Sequence, residues 1–371
     1  ALIDPHVHFR VPGGEHKEDW QTGARAAIAG GVTTVFDMPN NTPACTTADR
    51  LEEKTSLIEA QLTEANTPLR YHLYLGASET TIGEITRAHG KYIGIKVFLG
   101  QSTGDLLMDK PEVFARVCKT AAELGAIVAV HCEDEAVMQQ KKQSLAPEEL
   151  ADVRNHPRIR DREAAIVALQ NAIAMGKKYG TKLYILHAST KEEVELIRQA
   201  KRDGLNIALE TTPHHLFLNE TAFATLGTKA QMNPPLRTRE DQTALWAGIN
   251  DGTIDTIGTD HAPHTLEEKA KPYGQAPSGV PGIETILPLF LTAVRDGKLT
   301  LDQLTRVTRI NAEKFFGLKR NDDVVLVDMN TIKKVNGAML QTKSKWSPFE
   351  GWELVGWPVY TILRGQIFKV Q

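Results

Sequence analysis

Five stretches of the chain carry side chains that can hold a metal ion. The first is Ile3-Asp4-Pro5-His6-Val7-His8-Phe9-Arg10, an apolar-alternating strand pattern that ends in two histidines and an arginine. Successive side chains of a strand take opposite faces, so His6 and His8 point the same way, and one cation can take both. Arg10 shares that parity and stands just above them. The other four are Lys96 in Ile93-Gly94-Ile95-Lys96-Val97-Phe98-Leu99, His131 before Cys132-Glu133, His187, and Asp260 in Gly258-Thr259-Asp260-His261-Ala262-Pro263-His264. Imidazoles and a carboxylate are ligands for a zinc-type ion, and such an ion lowers the pKa of bound water from about 15.7 to about 7, which makes a nucleophile for hydrolysis.

Lys96 is the odd member. A lysine flanked by apolar residues in a buried strand is costly to keep charged, and burial beside cations pushes its amine from about 10.4 toward the neutral form. A neutral amine can add carbon dioxide to give a carbamate, whose two oxygens can bridge two metals as a carboxylate does. The remaining ligands, shared between two metals, leave a bridging group to be found. Lys96 is the candidate.

The elements that must position these groups alternate. After the first strand come strand patterns near 32–37, 70–75, 92–99, 126–131, 183–187, 206–211 and 253–259, separated by helical patterns near 18–29, 47–64, 82–88, 111–124, 162–179, 191–202 and 240–250. This predicts an α/β chain, a (β/α)8 TIM barrel over 1–317, in which functional groups gather at the C-terminal ends of strands. The metal-competent residues fall at or near those ends. A doubly wound sheet would need Gly-x-Gly-x-x-Gly after a strand, and the sequence has none. Residues 318–371 turn to short strands near 324–328, 360–363 and 367–370, a small, partial C-terminal β appendage. The chain opens directly on core-type sequence, so strands upstream of Ala1 are expected to complete it. Residues 139–160 read as an excursion above the barrel and 269–281, rich in Gly, Pro, Ala and Ser, as a mobile loop.

The remaining candidates read as supports. His214, His215 and His261 are assigned to structure or to orienting the ligands, and Glu210 to hydrogen bonds in the core. His16, His72, His89 and His156 carry no pattern.

Composition narrows the partners. A net charge of −3 over 371 residues gives no electrostatic case for nucleic acid or an anionic membrane. Three cysteines without Cys-x-x-Cys give neither a disulfide framework nor a thiolate cage, and a cytoplasmic location is expected. No apolar run approaches the roughly 18 residues of a membrane span.

His6-Val7-His8, Lys96, His131, His187 and Asp260, in this order, resemble the amidohydrolase superfamily. Within it, Asp4 to Arg10, Asp37-Met38-Pro39-Asn40, Met232-Asn233-Pro234-Pro235-Leu236-Arg237 and Thr259 to Thr265 are similar to the dihydroorotase family, from about Leu2 to Leu318 and again at 347–351 and 356–365. Allantoinases and hydantoinases share the ligands but lack this pairing of Arg10 with Asn40 and His264. The resemblance implies two zinc ions per chain, one held by His6, His8 and Asp260 and the other by His131 and His187, bridged by carboxylated Lys96 and hydroxide. It implies that Arg10, Asn40 and His264 grip a substrate carboxylate, and that His8, Asn233 and the backbone of Ser278 and Gly279 face the ring. Asp260 would also be the catalytic proton carrier. Leu186 stands where some relatives place a cysteine for a third zinc, so no third zinc is expected.

The implied reaction is the reversible hydrolysis of dihydroorotate to N-carbamoyl-aspartate, a step of pyrimidine biosynthesis. The implied associations are a homodimer and an aspartate transcarbamoylase partner. Two alternatives stay open at this point: an allantoinase- or hydantoinase-type cyclic amidohydrolase, and a non-catalytic scaffold for a transcarbamoylase. Arg10 could also be spent on a loop carboxylate such as Glu15.

Overall fold

The computed structural model describes residues 1–101 and 106–370. Eight parallel strands, β1 (Leu2–Val7), β2 (Val32–Asp37), β3 (Arg70–Gly76), β4 (Gly94–Phe98), β5 (Ile127–His131), β6 (Lys182–Ile185), β7 (Ile207–Thr211) and β8 (Thr256–Ile257), neighbour one another in chain order. Helices follow the strands and cover the outside, as a parallel sheet requires. The seam between β8 and β1 closes through a parallel bridge of Val7 with His261, with His8 N donating to His261 O at 2.9 Å and Thr259 N to Asp4 Oδ1 at 2.9 Å. The predicted barrel is therefore observed.

Alternation along the strands sorts the side chains. Ile95 and Val97, Val128 and Val130, and Ile207 and Leu209 pack outward against the helices, while Tyr74, Ala129, Tyr184 and Ala208 fill the barrel interior above Phe316. β1 does not alternate throughout. Leu2 and Val7 both belong to the outer layer and Ile3 to the inner one, so the parity switches along the strand, where the register shifts between Asp4 and Val7. Pro5 lacks an N–H for the ladder and Asp4 Oδ1 takes the His6 N–H at 3.2 Å, which accounts for the irregularity. The shift turns His6 into the barrel.

β8 is shorter than the sequence pattern suggests. Asp255 Oδ2 is drawn to Leu209 N and the Lys201 ammonium, and Asp260 takes a left-handed φ of 46°, so the extended stretch ends early.

Beyond the barrel, β9 (Val324–Asp328), β12 (Trp357–Leu363) and β13 (Gln366–Lys369) form an antiparallel sheet in the order β13-β12-β9, and β10 (Lys333–Lys334) pairs with β11 (Glu353–Leu354). Asp323 ties this region to the barrel, accepting Arg70 Nε at 2.9 Å and Arg364 N at 2.9 Å. The stretch between the strands folds back over the barrel mouth. Val335, Trp346 and Phe349 pack with Met232, Leu236 and Val280, and Trp346 Nε1 donates to His264 O at 2.8 Å.

The excursion is helical in pieces, Glu135–Gln143, Pro147–Leu150 and His156–Ile159. The 269–281 segment is pinned rather than loose. Buried Lys269 donates to the carbonyls of Gln231, Pro277 and Gly279 at 3.1, 2.9 and 3.1 Å, three bonds that satisfy its ammonium. No helix among the described residues is long and apolar enough to cross a membrane.

Candidate active site

At the C-terminal ends of the strands one cavity is lined by His6, His8, Arg10, Asn40, Lys96, Phe98, His131, His187, Asn233, Asp260, Ala262, Ser278 and Gly279. Every residue assigned to the site from the sequence is on this wall except His264. Two roomier clefts, of about 550 and 680 Å³, lie elsewhere and carry none of these groups.

His6 and His8 turn their Nε2 atoms to Asp260 Oδ1, at 3.3 and 3.0 Å, across the β1–β8 seam. On the far side of its ring His6 Nδ1 meets Glu210 Oε1 at 2.8 Å, and Glu210 also receives His187 N at 3.1 Å and the Tyr184 hydroxyl at 2.7 Å. Glu210 is thus fully hydrogen-bonded in the barrel and fixes which nitrogen His6 offers to the cavity. Gly258 makes room for it: a Cβ there would stand 2.4 Å from Glu210 Oε2 and 2.8 Å from His6 Cβ.

His131 and His187 form the second half, with Nδ1 of the former 2.9 Å from Nε2 of the latter. His131 Nε2 is held by Glu133 at 2.8 Å, and Glu133 is paired with Arg160, whose Nε lies 2.9 Å away. Sequence reasoning passed over this support. The His-x-Glu spacing at 131 and 133 was its signal.

Lys96 stands between the two halves, 1% exposed, its Nζ 4.3 Å from the centre of the Phe98 ring and without a side-chain hydrogen bond among the described residues. Burial lowers its pKa to about 7, against the pull of Asp260 and Glu210.

The charges around the cavity favour a cation. Burial alone would depress His6, yet Asp260 and Glu210 raise it above its ordinary value. Burial works against Asp260 too, but His6 and His8 hold its carboxyl well below the usual range, so it stays ionised. Ligating atoms of His6, His187 and Asp260 lie within 4.8 Å of one another, and buried His187 Nδ1 has no hydrogen-bond partner. This donor set, two imidazoles and a carboxylate converging on one point, fits a divalent metal ion, whose charge would displace the proton that Asp260 and Glu210 favour on His6.

Three of the wall residues, Arg10, His187 and Asp260, adopt left-handed backbone angles, with φ of 64°, 39° and 46°. Non-glycine residues pay for that conformation, on the order of 1–3 kcal/mol each, and it concentrates at functional sites.

Arg10 occupies the mouth. Its Nε donates to Pro263 O at 3.2 Å and its Nη2 lies 3.1 Å from His264 Nε2, but no carboxylate among the described residues pairs with it. Glu15 instead accepts Gly13 N at 3.0 Å. Burial lowers the guanidinium to about 10, which leaves it charged at neutral pH.

His264, expected from the sequence to grip a substrate carboxylate, is placed behind the cavity wall. It is 0% exposed, behind Arg10, with Nε2 3.1 Å from Ser278 O, Nδ1 3.4 Å from Glu268 and its carbonyl taken by Trp346. Packing of the post-β8 loop beneath Trp346 withdraws it from the cavity. His261 is likewise a support, its Nε2 3.3 Å from Glu18 and its Nδ1 accepting Gly282 N at 3.1 Å.

Asn40 is set by a buried pair that sequence reasoning also passed over. Lys54 Nζ reaches Asp37 Oδ2 at 2.5 Å, Met38 O at 2.9 Å and Asn41 Oδ1 at 2.6 Å, while Asp37 Oδ1 accepts Phe9 N at 2.7 Å. The pair locks the loop that carries Asn40 onto the segment that carries His8 and Arg10. Asn233 is held by two histidines, His215 Nε2 on Pro234 O at 3.0 Å and His156 Nε2 on Met232 O at 3.0 Å.

The amidohydrolase family model matches residues 1–324. A curated dihydroorotase of Halobacterium salinarum is 38% identical over 377 residues, which covers 98% of this chain and 84% of that protein. The chain belongs to the dihydroorotase family of amidohydrolases. Another curated dihydroorotase, from Methanosarcina acetivorans, is 37% identical over 397 residues, covering 100% of this chain and 81% of its own length. Among solved structures, an L-hydantoinase (dihydropyrimidinase) from Arthrobacter aurescens superposes with a TM-score of 0.93 at 27% identity, covering 99% of this chain and 84% of that one. As a dihydroorotase-family member the chain is a cyclic amidohydrolase, of a family that works with paired metal ions.

Proposed function

We propose that this chain catalyses the reversible hydrolysis of (S)-dihydroorotate to N-carbamoyl-L-aspartate in the cytoplasm, as part of pyrimidine biosynthesis. The observation that carries the reading is Arg10, a buried guanidinium at the cavity mouth without a carboxylate partner among the described residues. A buried cation of this kind calls for an anion, and the ring carboxylate of dihydroorotate supplies one, received by Arg10 with Asn40 beside it and His264 behind. The name shared by the relatives at 38% and 37% identity supports the same substrate.

The residues divide the remaining work. His6, His8 and Asp260 would hold one zinc and His131 and His187 the other, with Lys96, as its carbamate, between them. When bound, the two ions acidify a water molecule and polarise the ring carbonyl. Asp260, kept ionised by His6 and His8, accepts the proton of the attacking water at its carboxylate and passes it to the leaving ring nitrogen, so the ring opens without a free charge in the cavity. Asn233 and the backbone at Ser278 and Gly279 position the ring. Gly279 has a φ of 137° and a Cβ there would meet Ala262 O at 2.5 Å, which lets the main chain approach the cavity wall. In this reading 1–317 is the catalytic barrel and 318–371 an appendage, and self-association or docking to a transcarbamoylase would use surfaces away from the cavity.

A second reading, a hydantoinase-type ring opener, is favoured by the TM-score of 0.93 to the L-hydantoinase. One comparison separates them: ring opening of dihydroorotate and of dihydrouracil by the wild type and by Arg10→Met. We expect a strong wild-type preference for dihydroorotate and a fall of about 30- to 5000-fold on that substrate in the variant, the roughly 2–5 kcal/mol of a desolvated ion pair losing one partner. A wild type that prefers the uncarboxylated ring places the chain in the hydantoinase branch.

A further inference from the structure

Asn233 reaches the cavity from a loop between helices, and the side chain that meets it comes from 77 positions earlier. His156, 4% exposed, sits in the helix His156–Ile159 of the excursion. Its Nε2 lies 3.0 Å from Met232 O and 3.0 Å from Asn233 Oδ1, and its Nδ1 lies 2.8 Å from the Tyr273 hydroxyl.

Directions in this chain of contacts are determined. A carbonyl can only accept, so Met232 O places the ring proton on Nε2, and Nδ1 is left with a lone pair for which the Tyr273 hydroxyl is the donor. Burial, with Arg160 nearby, lowers the imidazole to about 4, and burial raises the Tyr273 phenol to about 12. The ring is therefore neutral and the phenol protonated at neutral pH. With a proton on His156 Nε2, the Asn233 atom facing it must be the oxygen, because a turned amide would set two N–H groups against each other at 3.0 Å. The Nδ2 end is the one left over, and nothing among the described residues accepts from it.

We propose that Tyr273 and His156 are positioning residues that set the Asn233 amide so that it offers the cavity a donor, which selects for a ring edge that presents a carbonyl oxygen. The inference rests on the cyclic-amide reading of the same site. It also couples the 269–281 loop, which supplies Tyr273, to the excursion, which supplies His156, through one recognition residue.

The test is a double-mutant cycle on the metal-loaded full chain, with His156→Leu, Asn233→Ala and the two combined, followed by ring opening of dihydroorotate. For variants too slow to assay, the Kd of N-carbamoyl-aspartate by calorimetry replaces KM. We expect His156→Leu to raise KM about five- to tenfold, the worth of one oriented hydrogen bond, with kcat within about threefold. In the Asn233→Ala background the same change should alter KM less than about twofold. His156→Gln, which restores an N–H at the Nε2 position, should recover KM to within about threefold of wild type. Effects that multiply across the cycle, or a loss confined to kcat, would overturn the inference. If His156→Leu does not fold, the cycle is run with Tyr273→Phe, where a KM increase that persists without Asn233 overturns it equally. A wild type inactive on dihydroorotate would sink the substrate reading instead, and the cycle is then read on dihydrouracil.

Discussion

Nδ1 of His131 and Nε2 of His187 face each other across 2.9 Å at the end of β5 and just past β6, with the other ring nitrogen of His131 held by Glu133 and that of His187 without a hydrogen-bond partner among the described residues. Such a pair satisfies itself through one shared proton when alone, and it becomes a bidentate ligand once that proton leaves. The opposing trio of His6, His8 and Asp260 repeats the arrangement around a carboxylate oxygen.

Purified protein should therefore contain close to two metal ions per chain by elemental analysis. Removal by a chelator should abolish ring opening and lower the unfolding temperature as well, because an ion that binds only the native chain stabilises it by mass action. Undiminished activity in metal-free protein would end the two-metal reading.

Lys96→Ala should reduce metal content and lower kcat by more than about 100-fold, beyond the 10- to 100-fold usual for groups that merely orient ligands. Short carboxylic acids added with metal should restore part of the rate by standing in for the carbamate. Full metal content and full turnover in this variant would mean that Lys96 only packs against Phe98.

Lys54→Met should cost on the order of 3–5 kcal/mol in denaturant unfolding, since it leaves the Asp37 carboxylate buried without its cation. Asp37→Asn combined with Lys54→Met should recover part of that loss while keeping an acceptor for Phe9 N. The double variant should still bind dihydroorotate weakly, because the Met38 and Asn41 anchors of the Asn40 loop are gone. Additive losses in the two single variants would show that the pair is not coupled.

Acid stability should depend on Asp323. Burial opposes its ionisation, but Arg70 and the Arg364 N–H hold its carboxyl below the ordinary value of 3.8. The unfolded chain then takes up the proton more readily than the folded one. The contribution is complete above pH 3.8 and is lost as pH falls through the lower folded value. Asp323→Asn should lower stability at neutral pH, change it little below the folded value, and so flatten the profile in between, and an unchanged acid slope would remove Asp323 from the account.

The sequence by itself determined the barrel and the place of the metal-competent residues, because both are properties of a residue relative to its own backbone. Alternation in short apolar runs assigns Lys96 and His131 to one face and their valine and isoleucine neighbours to the other, and strand ends follow from where the runs stop. Only the tertiary structure decided which distant groups meet. The parity switch at Pro5 in β1, the withdrawal of His264 behind Arg10, the freedom of Arg10 from Glu15, and the approach of Lys54 to Asp37 and of His156 to Asn233 all depend on the chain returning to itself. Periodicity records the direction a side chain takes from its own strand or helix, and holds no term for the partner that packing brings to it.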